Sequence, residues 1–160
     1  MKRHAIGLAV VLSLLGAGGA LANNGWGLYG AYWDGADAAG PGFKLTFELV
    51  PALQFDLHVA HFGNVGEDDI DLDITTLEFG LAMNVPLTDT LKLSLGGGPS
   101  YNFADGDEAD DEIGGYIGAC LEFSPYKDVA LFLEPRYIFL DPGPEDLNGF
   151  GVNLGLMVTW

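Results

Sequence analysis

The sequence predicts an all-β protein, an eight-stranded antiparallel up-and-down transmembrane β-barrel. First, residues 150–160 alternate bulky apolar residues with small or polar ones, over about the length that a tilted strand needs to cross a bilayer. Second, roughly eight such two-faced segments follow one another along the chain. Third, long acidic connections alternate with short turns, as extracellular loops and periplasmic turns do in bacterial outer-membrane barrels.

The N-terminal residues are typical of an export signal. Lys2 and Arg3 precede an apolar run over residues 5–15, and Ala20-Leu21-Ala22 is a small-x-small cleavage site. The run is too short for a transmembrane helix. We therefore expect residues 1–22 to be a cleaved signal peptide and residues 23–160 to form a single outer-membrane β-barrel domain.

Composition restricts the class of protein further. The formal net charge of −17 excludes nucleic acid as a partner, because phosphate binding needs a basic surface. Cys120 is the only cysteine, so no internal disulfide can form, and we interpret it as small packing material within a strand. After the signal no apolar run is long enough for a spanning helix.

The strands can be assigned in order along the chain. The first covers residues 25–33, with ambiguous facing because aromatic residues occupy both sets of alternate positions. Gly, Ala, Asp and Pro predict a loop over residues 34–41. Residues 43–49 alternate Phe and Leu with Lys, Thr and Glu, and a tight turn leads to a third strand at 53–60. The remaining elements follow in the same way: an acidic loop at 63–73, a strand at 75–85, a turn at 86–90, a strand at 91–103, an acidic loop at 105–112, a strand at 113–123, a turn at 124–128, a strand at 129–139, a loop at 141–149 and the closing strand.

A soluble eight-stranded barrel of the lipocalin type is the competing fold, since alternation alone does not say which face points inward. The polar face is rich in Gly, Ala, Ser and Asn, which suit a narrow lumen better than a wet exterior. We therefore expect Leu45, Phe79, Leu93 and Leu156 outside, and Gly80, Gly96, Gly118 and Gly155 inside. Aromatic residues near strand ends predict two interfacial girdles: Trp26, Phe62, Tyr101, Phe103, Phe123, Tyr137, Phe139, Phe150 and Trp160.

Two prolines fit a closed barrel poorly. Pro99 and Pro135 each remove a backbone donor from the ladder, in a fold that has no edge strands. A bulge or a strand end is therefore expected near each of them.

Two segments resemble a known family. Arg136-Tyr137-Ile138-Phe139-Leu140 before a Pro-containing loop, and the ending Gly151-Val152-Asn153-Leu154-Gly155-Leu156-Met157-Val158-Thr159-Trp160, are similar to the small porin-like outer-membrane beta-barrel family. The resemblance covers essentially the whole mature chain. It implies the fold and assembly by the barrel-assembly machinery, which reads such a terminal aromatic strand. It implies no single activity, because the family includes adhesins, structural barrels, small pores and lipid A enzymes.

Charged residues on the inward positions form a candidate lumen charge network. They are Lys44, Glu48, Asp56, Glu78, Lys92, Glu122, Glu134 and Arg136, with His58 and Tyr116 on the same face but at another height. In a narrow lumen such groups must pair or be hydrated, because an unpaired buried charge is costly. They predict either a plug of ion pairs or a selective path in which the excess of acids favours cations.

An enzyme of the lipid A deacylase type is the third possibility. Those barrels also carry Arg-Tyr late in the chain, followed by a His-x-Ser pair for nucleophilic hydrolysis. Here Phe139 and Asp141 stand at the corresponding positions, so base and nucleophile are missing. His58 and His61 lie on another strand without a suitably spaced serine. We expect neither enzymatic activity nor a cofactor.

The acidic loops are weak candidates for Ca²⁺ or Mg²⁺ binding through carboxylates. The residues concerned are Asp68, Asp69, Asp71, Asp73, Asp105, Asp107, Asp110 and Asp111. Neither loop has the EF-hand pattern, and a solvated charge run is the commoner explanation. Our hypothesis is that divalent ions bridge these loops to lipopolysaccharide phosphates.

The sequence thus predicts a non-enzymatic barrel in the bacterial outer membrane, structural or surface-interacting, with a charged and mostly occluded lumen. The alternative is a small porin-like diffusion channel for ions or small solutes. Its expected partners are outer-membrane lipid, lipopolysaccharide and the barrel-assembly machinery, and the expected state is a monomer.

Overall fold

The computed structural model describes residues 24–50, 52–65, 72–106, 111–140 and 147–160. Within them the chain forms one closed antiparallel barrel in which every strand pairs with its neighbours in sequence and the last pairs with the first. The predicted signal peptide, residues 1–22, lies outside the described residues. The strands are β1 Gly25–Trp33, β2 Ala38–Val50, β3 Leu53–Phe62, β4 Asp73–Pro86, β5 Leu91–Asp105, β6 Glu112–Tyr126, β7 Val129–Leu140 and β8 Gly149–Thr159.

The two ends of the barrel differ. The turn end carries the connections β2–β3, β4–β5 and β6–β7, and backbone hydrogen bonds join neighbouring turns, such as Ser124 N to Thr90 O at 2.8 Å. The loop end carries the other four connections. Among the described residues, no helix is long and apolar enough to cross a membrane.

The first connection is shorter than the sequence predicted. Only a single 3₁₀ turn, Asp34–Ala36, followed by Asp37 separates β1 from β2, so the prediction of a loop at residues 34–41 is wrong beyond Asp37. Gly40 and Gly42 have no space for a side chain within β2, which explains why small residues occur in this strand. A Cβ on Gly40 would lie 1.6 Å from the His61 carbonyl oxygen, and one on Gly42 would lie 2.2 Å from the Tyr29 ring.

The facing of the strands matches the transmembrane interpretation. Phe79 and Leu156 are exposed on the outer surface, and Leu93 lies on the same outward row of β5 as exposed Leu95. Leu45 is also outward, because it pairs with outward Trp26, although its neighbours cover it completely. The glycines at 80, 96, 118 and 155 lie on the inward rows of β4, β5, β6 and β8, in register with inward neighbours.

Neither proline causes a bulge or a strand end. Pro99 pairs with Gly115, and Pro135 pairs with Val152, inside continuous strands without a register shift. On its other side each proline faces a gap in the ladder, where β4–β5 and β6–β7 keep their register but lack residue pairs. The expectation of a bulge was wrong because a barrel strand can lose one donor locally while the flanking hydrogen bonds hold its register.

Candidate functional site

The inward rows of β2, β3, β4 and β7 bring six ionisable side chains together at mid-height in the lumen. We call them the lumen network: Lys44, Asp56, His58, Glu78, Glu134 and Arg136. Each of these residues is 5% exposed or less. Charged groups removed from water in this way must satisfy one another, because an unpaired buried charge is costly.

Arg136 is the centre of one half of the network. Its Nη1 donates to Glu78 Oε2 at 2.5 Å, and its Nη2 donates to Glu134 Oε1. The guanidinium carbon lies 4.4 Å from the centre of the Tyr116 ring, which adds a cation–π contact. With its amide oxygen turned towards the guanidinium, Asn153 accepts from Nε at 3.3 Å. The Arg136 side chain on β7 thereby contacts residues of β4, β6 and β8 as well as of its own strand.

The contact between Arg136 and His58 sets the protonation of the imidazole. Arg136 Nη2 lies 3.1 Å from His58 Nδ1. A guanidinium only donates, so Nδ1 must accept, and the ring is neutral with its proton on Nε2. Nε2 is buried and has no hydrogen-bond partner among the described residues.

Lys44 is the centre of the other half. Its ammonium donates to Glu134 Oε2 at 3.1 Å and lies 3.6 Å from Asp56 Oδ2. It also lies 5.4 Å from the centre of the Phe132 ring and 4.0 Å from the Cys120 sulfur. Glu134 therefore bridges the two cations of the network.

Asp56 is held mainly by neutral donors. The Thr46 hydroxyl donates to its Oδ1 at 2.7 Å, and the Gln54 amide nitrogen donates to its Oδ2 at 2.9 Å. Lys44 is its only cationic partner among the described residues, at a longer distance than the Lys44–Glu134 contact.

Buried apolar side chains, most of them large, occupy the lumen between the network and the loop end. This apolar plug consists of Trp33, Ala36, Phe62, Val65, Ile74, Ile138 and Leu140, all buried. Trp33 is fully buried and meets Phe62 edge-on, with ring centroids 5.5 Å apart. The prediction that Phe62 belongs to an outer girdle is wrong, because Phe62 shares the inward parity of Asp56 and His58 on β3.

The lumen is more open towards the turn end. Lys92 and Glu122 form a 2.9 Å ion pair there, and the Lys92 side chain is 26% exposed. Glu48 lies on the same side and is half-buried. Between this pair and the network is a small cavity, lined on the β4–β6 wall by small residues and by Tyr116, with Asp56 and Glu134 opposite.

The structure thus brings five of the eight charges predicted for the lumen into direct contact and separates three. Lys44, Asp56, Glu78, Glu134 and Arg136 meet, whereas Lys92, Glu122 and Glu48 lie nearer the turn end. His58 and Tyr116 lie at the height of the network, contrary to expectation. The aromatic partners Tyr29 and Phe132 and the amide of Asn153 were missed, because alternation gives the face of a residue but not its height.

The acidic loop residues are only partly described. Asp68, Asp69, Asp71, Asp107 and Asp110 lie outside the described residues. Asp73 and Asp105 are direct cross-strand partners at the loop end of β4 and β5. Asp111 accepts from the Tyr101 hydroxyl at 3.1 Å. Within the described ranges, no group of three or more His, Cys, Asp or Glu is arranged to hold a metal ion.

His61 is the second histidine considered as a possible catalytic base. Its Nδ1 lies 3.0 Å from the Thr75 hydroxyl across the outer face of β3 and β4. A catalytic pair also needs a third group that orients the base. In the part of the chain that the structure describes, no carboxylate contacts His61, and His58 is committed to Arg136.

The closed barrel, its apolar outer belt and its polar lumen define the chain by fold as an outer-membrane β-barrel. No protein-family model and no curated protein sequence matches the chain. Solved structures do. OprG from Pseudomonas aeruginosa aligns at TM-score 0.68 and 14% identity, over 89% of this chain and 98% of that chain.

Two further outer-membrane proteins show the same likeness. Neisserial surface protein A aligns at TM-score 0.62 and 15% identity, over 86% of this chain and 93% of that one. The attachment invasion locus protein Ail of Yersinia pestis aligns at 0.56 and 16%, over 86% and 95%. The predicted eight-stranded outer-membrane barrel is confirmed. At these identities the likeness establishes the fold and leaves the activity open.

Proposed function

We propose that the protein is a non-enzymatic barrel of the bacterial outer membrane, structural or surface-interacting, whose lumen does not conduct. The observation that carries this proposal is the filling of the lumen by two consecutive layers. The apolar plug closes the loop end, and the lumen network closes the middle with side chains that are bonded to one another. An ion crossing the barrel would have to displace both.

Single-channel recording tests the occluded lumen directly. The purified barrel, inserted into a planar bilayer, is expected to give no steady openings, because buried side chains of the described residues occupy the lumen in both layers. Steady openings of the native barrel whose conductance changes in a Lys92→Ala or Arg136→Ala variant would assign a path to the lumen and overturn the proposal. The mass of the same preparation in detergent shows whether the barrel is monomeric, as we propose.

A small diffusion channel is the second candidate function. The observation that favours it is the excess of acids inside the barrel, together with the partial exposure of Lys92 near the turn end. Rings of carboxylates select cations in open pores. Cation-selective openings in the bilayer recording would support this function in place of the first.

Charge restricts the surface partners that this proposal allows. The solved complex of Ail with the heparin analogue sucrose octasulfate shows that one barrel of this fold takes a polyanion. The present chain carries a formal charge of −17. Like charges repel, so any anionic partner of this barrel needs a bridging cation.

We further propose that divalent ions join the acidic loops, including Asp73 and Asp105 at their ends, to lipopolysaccharide phosphates. Asp73 and Asp105 support this, because like charges directly opposite each other on two strands are destabilising without a counter-ion. Millimolar Ca²⁺ is expected to raise the thermal midpoint of the barrel in lipopolysaccharide-containing bilayers, and EDTA to lower it. An Asp73→Asn/Asp105→Asn variant should lose most of this response, whereas Asp128→Asn at the turn end should keep it. A midpoint indifferent to both reagents would end the proposal.

A further inference from the structure

The lumen network does not balance its own charge. Lys44 and Arg136 are its two cations, whereas Asp56, Glu78 and Glu134 are three carboxylates in mutual contact with them. His58 adds no charge, because its Nδ1 accepts a hydrogen bond from Arg136. One negative charge in this buried cluster therefore lacks a cation, and such a charge is costly to keep.

The distances place this excess charge at Asp56. Glu78 and Glu134 both bond Arg136, and Glu134 is also the nearer partner of Lys44, at 3.1 Å. Asp56 is left with a 3.6 Å contact to the same ammonium. Its remaining hydrogen bonds come from Thr46 and Gln54, which are neutral.

The cavity lies beside this carboxylate, and four of its nine lining residues carry side-chain oxygens. Its free volume of about 10 Å³ is about enough for one water molecule or one small ion. Asp56, Glu134, the Ser94 hydroxyl and Tyr116 line it. The Ser94 hydroxyl already donates to Asn84, at 2.8 Å, which leaves its lone pairs available.

A hydroxyl on the cavity wall and an orphaned amide oxygen lie near Asp56. Tyr116 is 4% exposed and lines the cavity, with its hydroxyl over Gly80. Gln54 Oε1, on the same inward row as Asp56, is buried and has no donor among the described residues. Hydroxyl oxygens next to an uncompensated carboxylate are the ligand chemistry that a hard cation prefers.

We propose that this cavity is a binding site for one small monovalent cation of the size of sodium. The cation is held by the Asp56 carboxylate, with the hydroxyl oxygens of Tyr116 and Ser94 as further ligands, and it enters from the turn end. A single positive charge neutralises the network. A divalent ion is disfavoured, because the Lys44 ammonium lies next to the same carboxylate.

Sodium-dependent stability tests the site. The folded mature chain in zwitterionic detergent is unfolded with urea in NaCl or in choline chloride, at equal ionic strength and pH. Choline is too large for the cavity, so only sodium is expected to raise the urea midpoint, and the rise should saturate with concentration. The half-saturating sodium concentration should increase about tenfold in Tyr116→Phe, which removes one ligand but keeps the ring over Arg136.

Tyr126→Phe is the matched control, because Tyr126 is 74% exposed at the turn end and far from the cavity. Its sodium response should equal that of the native chain, and Asp56→Asn should have none. Equal midpoints of the native chain in the two salts would overturn the proposal and leave a water in the cavity. An unchanged sodium response in Tyr116→Phe would also overturn it, and this variant decides the matter if Asp56→Asn does not fold.

Discussion

Replacement of Arg136 with methionine is expected to lower the free energy of unfolding by about 3–5 kcal/mol. Methionine fills much of the same space but leaves Glu78 and Glu134 without the guanidinium that both of them bond. Lys44 alone would then face three buried carboxylates. Urea titration of the folded barrel, followed by tryptophan fluorescence, measures the loss.

Lys92→Met is the control for this prediction. Lys92 also pairs with a carboxylate, Glu122, but its side chain is partly exposed near the turn end. The Glu122 side chain is itself only 9% exposed, but this variant leaves one carboxylate without its cation where Arg136→Met leaves two, so the loss should be clearly smaller. Equal losses in the two variants would show that the lumen network is as hydrated as the turn end.

A triple variant distinguishes the loss of ion pairing in Arg136→Met from the loss of packing. Adding Glu78→Gln and Glu134→Gln to Arg136→Met removes the unpaired carboxylates and should recover part of the stability, because a buried ion cluster can often be replaced by neutral groups at little cost. If the triple variant is no more stable than Arg136→Met, the packing of the guanidinium on Tyr116 is the dominant contribution.

Period-two alternation was sufficient to predict the fold and the facing of most strands. It placed Glu134 and Arg136 inside and Phe139 outside because each strand has one apolar and one small or polar face. The alternation did not predict the start of β2, where small residues and a proline resemble a loop. Residues 38–41 look like a loop, yet they belong to β2, where the His61 backbone leaves no room for a side chain at Gly40 and the Tyr29 ring leaves none at the neighbouring Gly42.

The sequence predicted which residues face the lumen better than it predicted which of them contact one another. Which inward residues meet depends on the stagger between strands, and alternation carries no information about stagger. Lys44 on β2 and Glu134 on β7 are 90 residues apart and touch across the lumen. Tyr29 could not be assigned to the lumen because β1 carries aromatic residues on both faces.

Trp33→Ala is expected to destabilise the barrel by about 3–5 kcal/mol, the usual cost of truncating a large buried aromatic side chain. Trp33 is fully buried at the centre of the apolar plug and packs edge-on against Phe62. Trp26→Ala is the matched control on the same strand, since Trp26 points outward and is partly exposed. Urea titration should show the larger loss for Trp33, and a larger loss for Trp26 would contradict the assignment of Trp33 to the plug.

The same variant tests whether the two layers close the lumen independently. Loss of the indole opens the plug, but the ion pairs of Lys44, Glu134 and Arg136 beneath it remain bonded to one another. A folded Trp33→Ala barrel should therefore still give no steady openings in a planar bilayer. Openings in this single variant would mean that the charged layer lets ions pass and that the apolar plug alone holds the lumen shut. In that case the excess of carboxylates around Asp56 should make the openings of the variant cation-selective, while the plug keeps the native barrel closed.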